Sequence, residues 1–154
     1  MPQWKTRKLG TIDYNAADVV TFPKGLPGFE KETSFIPVEK QGLEPAVFLQ
    51  SLVSPELCFV ALPMELVDRN YQLRVMNEDL LVISTPENHR PPATEDLACL
   101  AIVCLHEQGS ATANLLGPLV VNRKTRMGVQ AIRDDSKYSA THPLEAASLA
   151  GGKC

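Results

Sequence analysis

The sequence lacks the features that would place this protein in a membrane or on a secretory route. None of its apolar runs approaches the roughly 20 residues that are needed to cross a bilayer. The start, MPQWKTRKLG, is basic, but no apolar segment follows it, so we expect no secretory signal. With 154 residues and an ordinary hydrophobic content of 44%, the chain should form one cytoplasmic domain.

Motifs for metal binding and for common catalytic sites are also missing. No CxxC, HxH or HExxH spacing occurs, and His89, His106 and His142 are scattered along the chain. There is no GxSxG elbow, P-loop or GxGxxG turn. We therefore expect no metal, no cofactor and no enzymatic activity, although an enzyme whose site is dispersed along the sequence stays open.

The four cysteines do not form a disulfide framework. Cys58, Cys99 and Cys104 lie inside apolar runs, which is typical of buried, reduced thiols. Cys99 and Cys104 are five residues apart, so in a strand they point to opposite faces and cannot share a metal. Cys154 is the last residue, and its role is not readable from the sequence.

Acidic residues are concentrated in the middle of the chain. Residues 30–107 contain thirteen Asp or Glu and only five Lys or Arg. This argues against direct binding of a nucleic-acid backbone, which needs clustered cations. It suits a basic protein partner, or it is simply a solvated surface. A direct nucleic-acid role would depend on one cationic patch, formed by Arg123, Lys124, Arg126 and Arg133 around a predicted hairpin tip.

Short apolar runs separated by Gly, Pro, Asn and Ser predict a mainly β protein. The strands are predicted at 9–14, 18–22, 35–38, 46–52, 57–62, 80–84, 98–106, 111–115, 118–122 and 129–133. Helix is expected only as short turns, at 63–71 with Pro63 in the first position and at 94–97 with Thr94 as the cap. The fold class is therefore a small barrel-like or tightly curled antiparallel sheet with short helical turns, spanning residues 1–144 and followed by a flexible tail, 145–154.

The segment TFPKGLPGFE, residues 21–30, is the most distinctive turn. Pro27 and Gly28 suit the two central positions of a type II turn, and Gly25 adds a second flexible position. Phe22 and Phe29 should pin this turn onto a core and make it rigid. It could serve to recognise a partner or simply to connect two strands.

Five polar residues interrupt the apolar runs: Gln50, Ser51, Asn114, Asn122 and Gln130. A buried amide without a hydrogen bond costs about 1–3 kcal/mol, so each should have a partner. They either satisfy turns, bulges and sheet edges, or they form a polar seam on a binding face.

Four blocks of sequence, taken together, resemble the family of the flagellar assembly factor FliW. They are TFPKGLPGFE, AVFLQSLVSPELCFVALP at 46–63, TANLLGPLVVNRKTRMGVQAI at 112–132 and KYSATHPL at 137–144. The resemblance implies a small cytoplasmic bacterial protein with a β-barrel-like fold and no enzymatic role. It also implies two partners: CsrA, a small basic RNA-binding repressor of translation, and flagellin before export. FliW holding CsrA would free flagellin messenger RNA, and accumulating flagellin would take FliW back.

We predict the partner face around residues 55–70 together with the acidic segment at 78–79. Its carboxylates would come from Glu56, Glu65, Asp68, Glu78 and Asp79, and its apolar contacts from Leu57, Phe59, Met64, Leu66 and Val67. Most of the apolar residues could equally be core, and Met64 is expected to be the surface exception because flexible thioethers suit adaptable surfaces. The alternative function, a small-molecule-binding barrel, predicts an enclosed pocket with converging polar groups. Oligomeric state is not readable.

Overall fold

The structure is a computed structural model that describes residues 1–144. Within these residues the chain forms eleven short strands and two short helices. The strands are β1 (Gln3–Lys5), β2 (Thr11–Asp13), β3 (Val20–Thr21), β4 (Ser34–Val38), β5 (Val47–Ser51), β6 (Cys58–Pro63), β7 (Leu97–Leu105), β8 (Ala111–Ala113), β9 (Leu119–Asn122), β10 (Met127–Gln130) and β11 (His142–Pro143). The helices are α1 (Met64–Val67) and α2 (Asn77–Val82), and 3-10 turns occur at Ala16–Asp18 and Thr94–Asp96. No helix within residues 1–144 is long and apolar enough to span a bilayer.

Seven of these strands close into a barrel in the order β7, β6, β5, β4, β3, β10, β9 and back to β7. The closing pair joins Leu97–Leu100 of β7 to β9, while the other end of β7 pairs with β8, which carries β11 at the sheet edge. All neighbours in the ring are antiparallel except β3 and β10. The predicted mainly β, barrel-like fold with short helical turns is confirmed.

The barrel interior is filled by side chains. Inward-facing residues alternate with outward-facing ones along each strand, and Phe22, Phe35, Leu49 and Leu119 meet inside. The rings of Phe22 and Phe35 pack edge-on at 5.5 Å between centroids. The middle of the barrel is therefore occupied by packed apolar side chains.

A second apolar layer covers the outside of β5 to β8. It contains Phe48, Leu62 and Val103, and the partly buried Leu9 and Leu43 pack against it. Leu9 belongs to the turn of the β1–β2 hairpin, and Leu43 belongs to the turn between β4 and β5. The sheet therefore has apolar packing against both faces here, which agrees with the unbroken apolar run that predicted a central strand at β7, although only Ala101 and Val103 of that strand are buried.

The predicted strand at 80–84 is wrong, because this segment begins as the end of helix α2. Glu78 and Asp79 stand in the first helical turn, where negative charge is favourable. Val82 and Ile83 pack against Val120 and Val129 of the barrel, whereas Leu81 is 60% exposed. Over only five residues, a strand and a helix that is buried on one side can show the same apolar pattern. The tertiary contacts therefore decide that this segment is helical.

Smaller differences concern ends and caps. β10 begins at Met127 instead of 129, and the short strands β1 and β11 were not predicted. Pro63 precedes α1 as its cap position, and Ala93 takes the cap position that was predicted for Thr94. The differences at ends and caps are of one to four residues and arise where chain ends and turns compete locally, whereas β1 and β11 are strands of three and two residues, too short for a periodic pattern to predict.

Cys104 contradicts the prediction of three buried thiols. Cys58 and Cys99 are half-buried, but Cys104 is exposed because it lies near the free end of β7. Burial raises the pKa of the Cys99 thiol to about 12. Cys154 and the predicted flexible tail, 145–154, lie outside the described residues.

Candidate functional site

The 21–30 segment forms the predicted turn. Gly28 has φ = +84°, and the Phe29 amide donates to the Leu26 carbonyl at 2.6 Å, as in a type II turn. Gly25 also has positive φ, at +66°, and a Cβ there would lie 2.5 Å from the carbonyl oxygen of Glu30. Glycine is thus required at 25 by space as well as by backbone conformation.

A buried carboxylate fastens this turn to the β5–β6 turn. Glu32 is only 9% exposed, and it accepts hydrogen bonds from the hydroxyls of Ser51 at 2.5 Å and Ser54 at 2.7 Å. The Ser51 oxygen in turn accepts from the amides of Val53 and Ser54. Sequence reasoning selected Ser51 but missed Glu32, because its partners are some 20 residues away and its neighbours read as an ordinary charged loop.

Each of the two fastened turns exposes one large apolar side chain. Phe29 is 43% exposed, and its ring packs edge-on against Phe59 at 5.5 Å. Val53, from the second turn, is 49% exposed. Both flanking phenylalanines contact the core: Phe22 is buried in it, and the partly exposed Phe29 packs on Phe59, which lies against the same cluster.

The five polar residues inside apolar runs mostly hydrogen-bond to backbone groups at turns, some of them distant in sequence. Gln50 donates to the carbonyls of Ser51 and Pro55, and Asn122 donates to the carbonyl of Ile83. Asn114 accepts from the amides of Leu116 and Gly117, Gln130 donates to the Gly117 carbonyl, and Ser51 is described above. They fall into three groups, with Gln50 and Ser51 at the β5–β6 turn, Asn114 and Gln130 at Gly117, and Asn122 beside Ile83. The Gln50 side-chain oxygen is buried without a hydrogen-bond partner among residues 1–144.

The predicted partner residues do not lie in one patch. Glu56 precedes β6 and Glu65 follows it, so the six residues of that strand, roughly 20 Å, separate them. Asp68 ends α1, and Glu78 and Asp79 belong to α2, which packs on β10. The prediction grouped these carboxylates because they are close in sequence. In the structure they lie before β6, on α1 and on α2.

Met64 is not a surface residue. It is 2% exposed and packs with Ala101, Ala113 and Leu115 beneath α1. The prediction that it was the surface exception is therefore wrong, because the first residue of α1 faces the sheet. Leu66 holds the exposed position instead, at 55%.

Two acidic helices with an exposed leucine remain as candidate contacts. On α1, Leu66 lies between exposed Glu65 and half-exposed Asp68. On α2, exposed Leu81 accompanies Glu78 and Asp79. Burial raises the pKa of Asp79; Lys24 of the 21–30 turn lowers it, and Glu78 raises it. Lys24 also lines one surface pocket together with Glu78 and Leu81, so α2 lies beside that turn.

The cationic hairpin tip is largely committed to contacts within the protein. Lys124 forms an ion pair with Asp96 at 3.4 Å, and the Arg123 guanidinium donates to the carbonyl of Glu95. Arg126 donates to the Asp18 carbonyl, and Arg133 forms a two-pronged pair with Asp135. Asp96 and Asp135 thus offset two of the four charges, while Arg123 and Arg126 keep their charge with their guanidinium groups held on main-chain carbonyls.

The cavities do not support a small-molecule barrel. A groove of about 570 Å³ lies outside the barrel, lined by Lys8, Leu9, Lys40, Leu43, Phe48, Cys58 and Val60. It is apolar with two lysines and has no converging set of polar groups. Within residues 1–144, no cluster of three or more His, Cys, Asp or Glu is arranged to hold a metal ion.

Comparison with known proteins identifies the family. Residues 3–144 match the family described as "FliW protein". The flagellar assembly factor FliW of Syntrophomonas wolfei is 32% identical over 138 residues, which covers 88% of this chain and 84% of that protein. That of Shouchella clausii is 30% identical over 150 residues, covering 97% and 99%. A solved structure, "Crystal structure of the flagellar assembly factor FliW", matches with a TM-score of 0.78 at 28% identity, covering 95% of this chain and 99% of that one. The chain therefore belongs to the FliW family of flagellar assembly factors.

Proposed function

We propose that this protein acts in the cytoplasm as a non-enzymatic regulator of flagellin synthesis that binds two partners in turn. One partner is a CsrA-type translational repressor, and the other is flagellin before export. While the protein holds the repressor, flagellin messenger RNA is free for translation. As flagellin accumulates, it occupies the protein, and the repressor returns to the messenger.

Mass action is sufficient for this exchange. If the two complexes exclude each other, the free concentration of flagellin sets how much protein remains for the repressor. No covalent step and no cofactor is needed. Membership of a flagellar assembly family and the filled barrel interior both favour an occupied surface over a chemical site.

The observation that carries the repressor-binding surface is the exposed face of α1. Leu66, 55% exposed, gives a partner an apolar contact, and Glu65 and Asp68 beside it give the negative charge that attracts a basic protein. α2 repeats the arrangement with Leu81, Glu78 and Asp79. Glu56, at the far end of β6, should contribute less.

Charge reversal on α1 tests this surface. We expect the double variant Glu65→Lys, Asp68→Lys to bind the CsrA-type repressor about tenfold or more weakly at low salt, and to lose most of its salt dependence. The measurement is a titration by isothermal calorimetry at two ionic strengths. Glu65 is exposed, but the half-exposed Asp68 carboxylate accepts a hydrogen bond from the Asn70 amide, so we expect a small loss of thermal stability, and circular dichroism at the titration temperature must match the parent.

A matched control changes the same charge elsewhere. Glu87 and Glu107 are exposed and lie in loops, so the variant Glu87→Lys, Glu107→Lys alters net charge by the same amount. If both double variants lose affinity equally, the attraction is a general field and α1 is not the contact. Co-purification from the native host, with identification of bound proteins, tests the choice of partners independently.

A further inference from the structure

We propose that the groove between the β1–β2 hairpin and the outer face of β5 and β6 is a docking site for an amphipathic, acidic chain segment of another protein. This goes beyond the proposed function, because it assigns a second binding face whose charge preference is opposite to that of α1. The occupant is defined by chemistry: apolar side chains on one side and carboxylates beside them.

The floor of the groove is apolar and belongs to the rigid sheet. Phe48 of β5 is paired with Val60 of β6, and Cys58 lies two residues before Val60 on the same face. Phe48 is buried, whereas Val60 and Cys58 are half-exposed. An apolar strip of this kind stabilises a partner by removing its apolar side chains from water.

The two side walls of the groove are turns that lie at opposite ends of β5. Lys40 and Leu43 belong to the turn before β5. Lys8 and Leu9 belong to the hairpin turn, which is attached at the other end by a hydrogen bond from the Arg7 amide to the Pro55 carbonyl. The groove therefore runs between the β4–β5 turn and the hairpin turn, over Phe48, Val60 and Cys58, as an apolar groove that can receive the apolar face of an amphipathic segment.

The charge of the walls selects the partner. Lys8 and Lys40 are both exposed, and neither forms a salt bridge with any of the described residues. Arg7, also exposed, adjoins Lys8, whereas Glu39 and Glu44 adjoin Lys40 and Leu43, so the surroundings keep a net positive charge that is concentrated at the hairpin end of the groove. Cations at the rim of an apolar strip favour a segment whose carboxylates flank its apolar side chains, and they disfavour a basic segment. This distinguishes the groove from α1, where the rim is acidic.

The test uses three synthetic 18-residue amphipathic peptides with the same leucine positions and with glutamate, glutamine or lysine at all polar positions. Binding of each labelled peptide to the full chain is measured by fluorescence anisotropy. We expect the glutamate peptide to bind most tightly, the lysine peptide least, and the preference to shrink as salt is raised.

The diagnostic variant is Lys8→Glu, Lys40→Glu. We expect it to weaken glutamate-peptide binding about tenfold, since two favourable rim charges become repulsive. The matched control is Lys5→Glu, Lys31→Glu, which makes the same change in net charge at exposed lysines that do not line the groove. The control should bind like the parent, and both variants should melt like the parent.

Several results would overturn the proposal. Equal loss in both double variants would show that net charge alone drives binding. No binding of the glutamate peptide, or equal binding of the lysine peptide, would remove the assigned occupant. Saturable binding of dodecanoate together with no peptide binding would make the groove a site for small amphiphiles. A dimer in sedimentation that Lys8→Glu, Lys40→Glu dissociates would make it a contact between copies. All four leave repressor binding by α1 to be judged by its own titration.

Discussion

At the scale of single residues, backbone conformation decides the distinctive turn. Gly25 and Gly28 both have positive φ, but their surroundings differ. A Cβ on Gly25 would lie 2.5 Å from a main-chain oxygen, whereas one on Gly28 would meet nothing within 4 Å. At Gly25, both the backbone conformation and the lack of space disfavour any other residue. At Gly28, only the backbone conformation does.

Alanine at these two glycines should therefore have unequal effects. We expect Gly28→Ala to lower the free energy of unfolding by about 1–2 kcal/mol, the cost of a left-handed non-glycine residue. Gly25→Ala should cost clearly more, at least about 3 kcal/mol, since the backbone at Glu30 must also move. Urea titration followed by circular dichroism measures both. Equal losses would mean that the close approach at Gly25 is relaxed without cost. Bulkier Gly28→Val should loosen the turn and lower stability as well, rather than remove one partner contact from an otherwise stable protein.

At the scale of elements, the side chain of Arg133 holds the long connection between α1 and α2 against the barrel. The Arg133 guanidinium lies 5.7 Å from the ring centroid of Tyr71 and 4.8 Å from that of Tyr138, and it donates to the Gln72 carbonyl. Its other nitrogens donate to both oxygens of Asp135 at 2.9 and 2.8 Å. The Tyr71 hydroxyl donates to the Leu115 carbonyl at 2.6 Å, so the connection is tied at two points.

Removing Arg133 should release this connection. We expect Arg133→Met to lower the free energy of unfolding by about 2–3 kcal/mol through lost charge-assisted hydrogen bonds. Arg133→Lys should not restore it, because an ammonium cannot form the two-pronged pair. Hydrogen exchange should show faster exchange in residues 68–76 of both variants. Full protection there would contradict the assigned role.

The same pair predicts a dependence on pH. The hydrogen bonds from Arg133 hold the pKa of Asp135 below its usual value, with smaller help from charge and from Arg74. A lowered pKa in the folded state contributes stability above the unfolded value of about 4, and this is lost as pH falls through the folded pKa. In urea titrations from pH 7 to pH 2.5, Asp135→Asn should lose less stability on acidification than the parent. Parallel curves would show that the pair does not contribute.

At the scale of the whole molecule, the barrel depends on one closing contact. β9 pairs with the first half of β7 and thereby joins the last strands of the ring to the central ones. Leu119, at the start of β9, is fully buried in the interior cluster, and it faces Leu100 across the closing pair. Interior packing and barrel closure are thus coupled in the same residues.

Alanine substitution of one interior leucine and one surface leucine compares the contributions of the interior and the surface to stability. Leu119→Ala should lower the free energy of unfolding by about 2–5 kcal/mol, the usual range for a buried leucine that leaves a cavity. Leu81→Ala, at 60% exposure, should change it by less than about 0.5 kcal/mol. Differential scanning calorimetry distinguishes them. A large loss for Leu81→Ala would show that α2 is part of the core and not an accessible surface.

The sequence by itself determined the mainly β fold class, most strand positions, the type II turn and the family, because apolar alternation, Pro-Gly chemistry and motif order are local properties. Only the tertiary structure decided which residues meet. It put Met64 under α1, turned 77–82 into a helix, joined Glu32 to Ser51, and placed Glu56 and Glu65 at opposite ends of β6. Each of these four outcomes depends on contacts between residues that are distant in sequence. The free energies of such contacts cannot be read from a local sequence pattern.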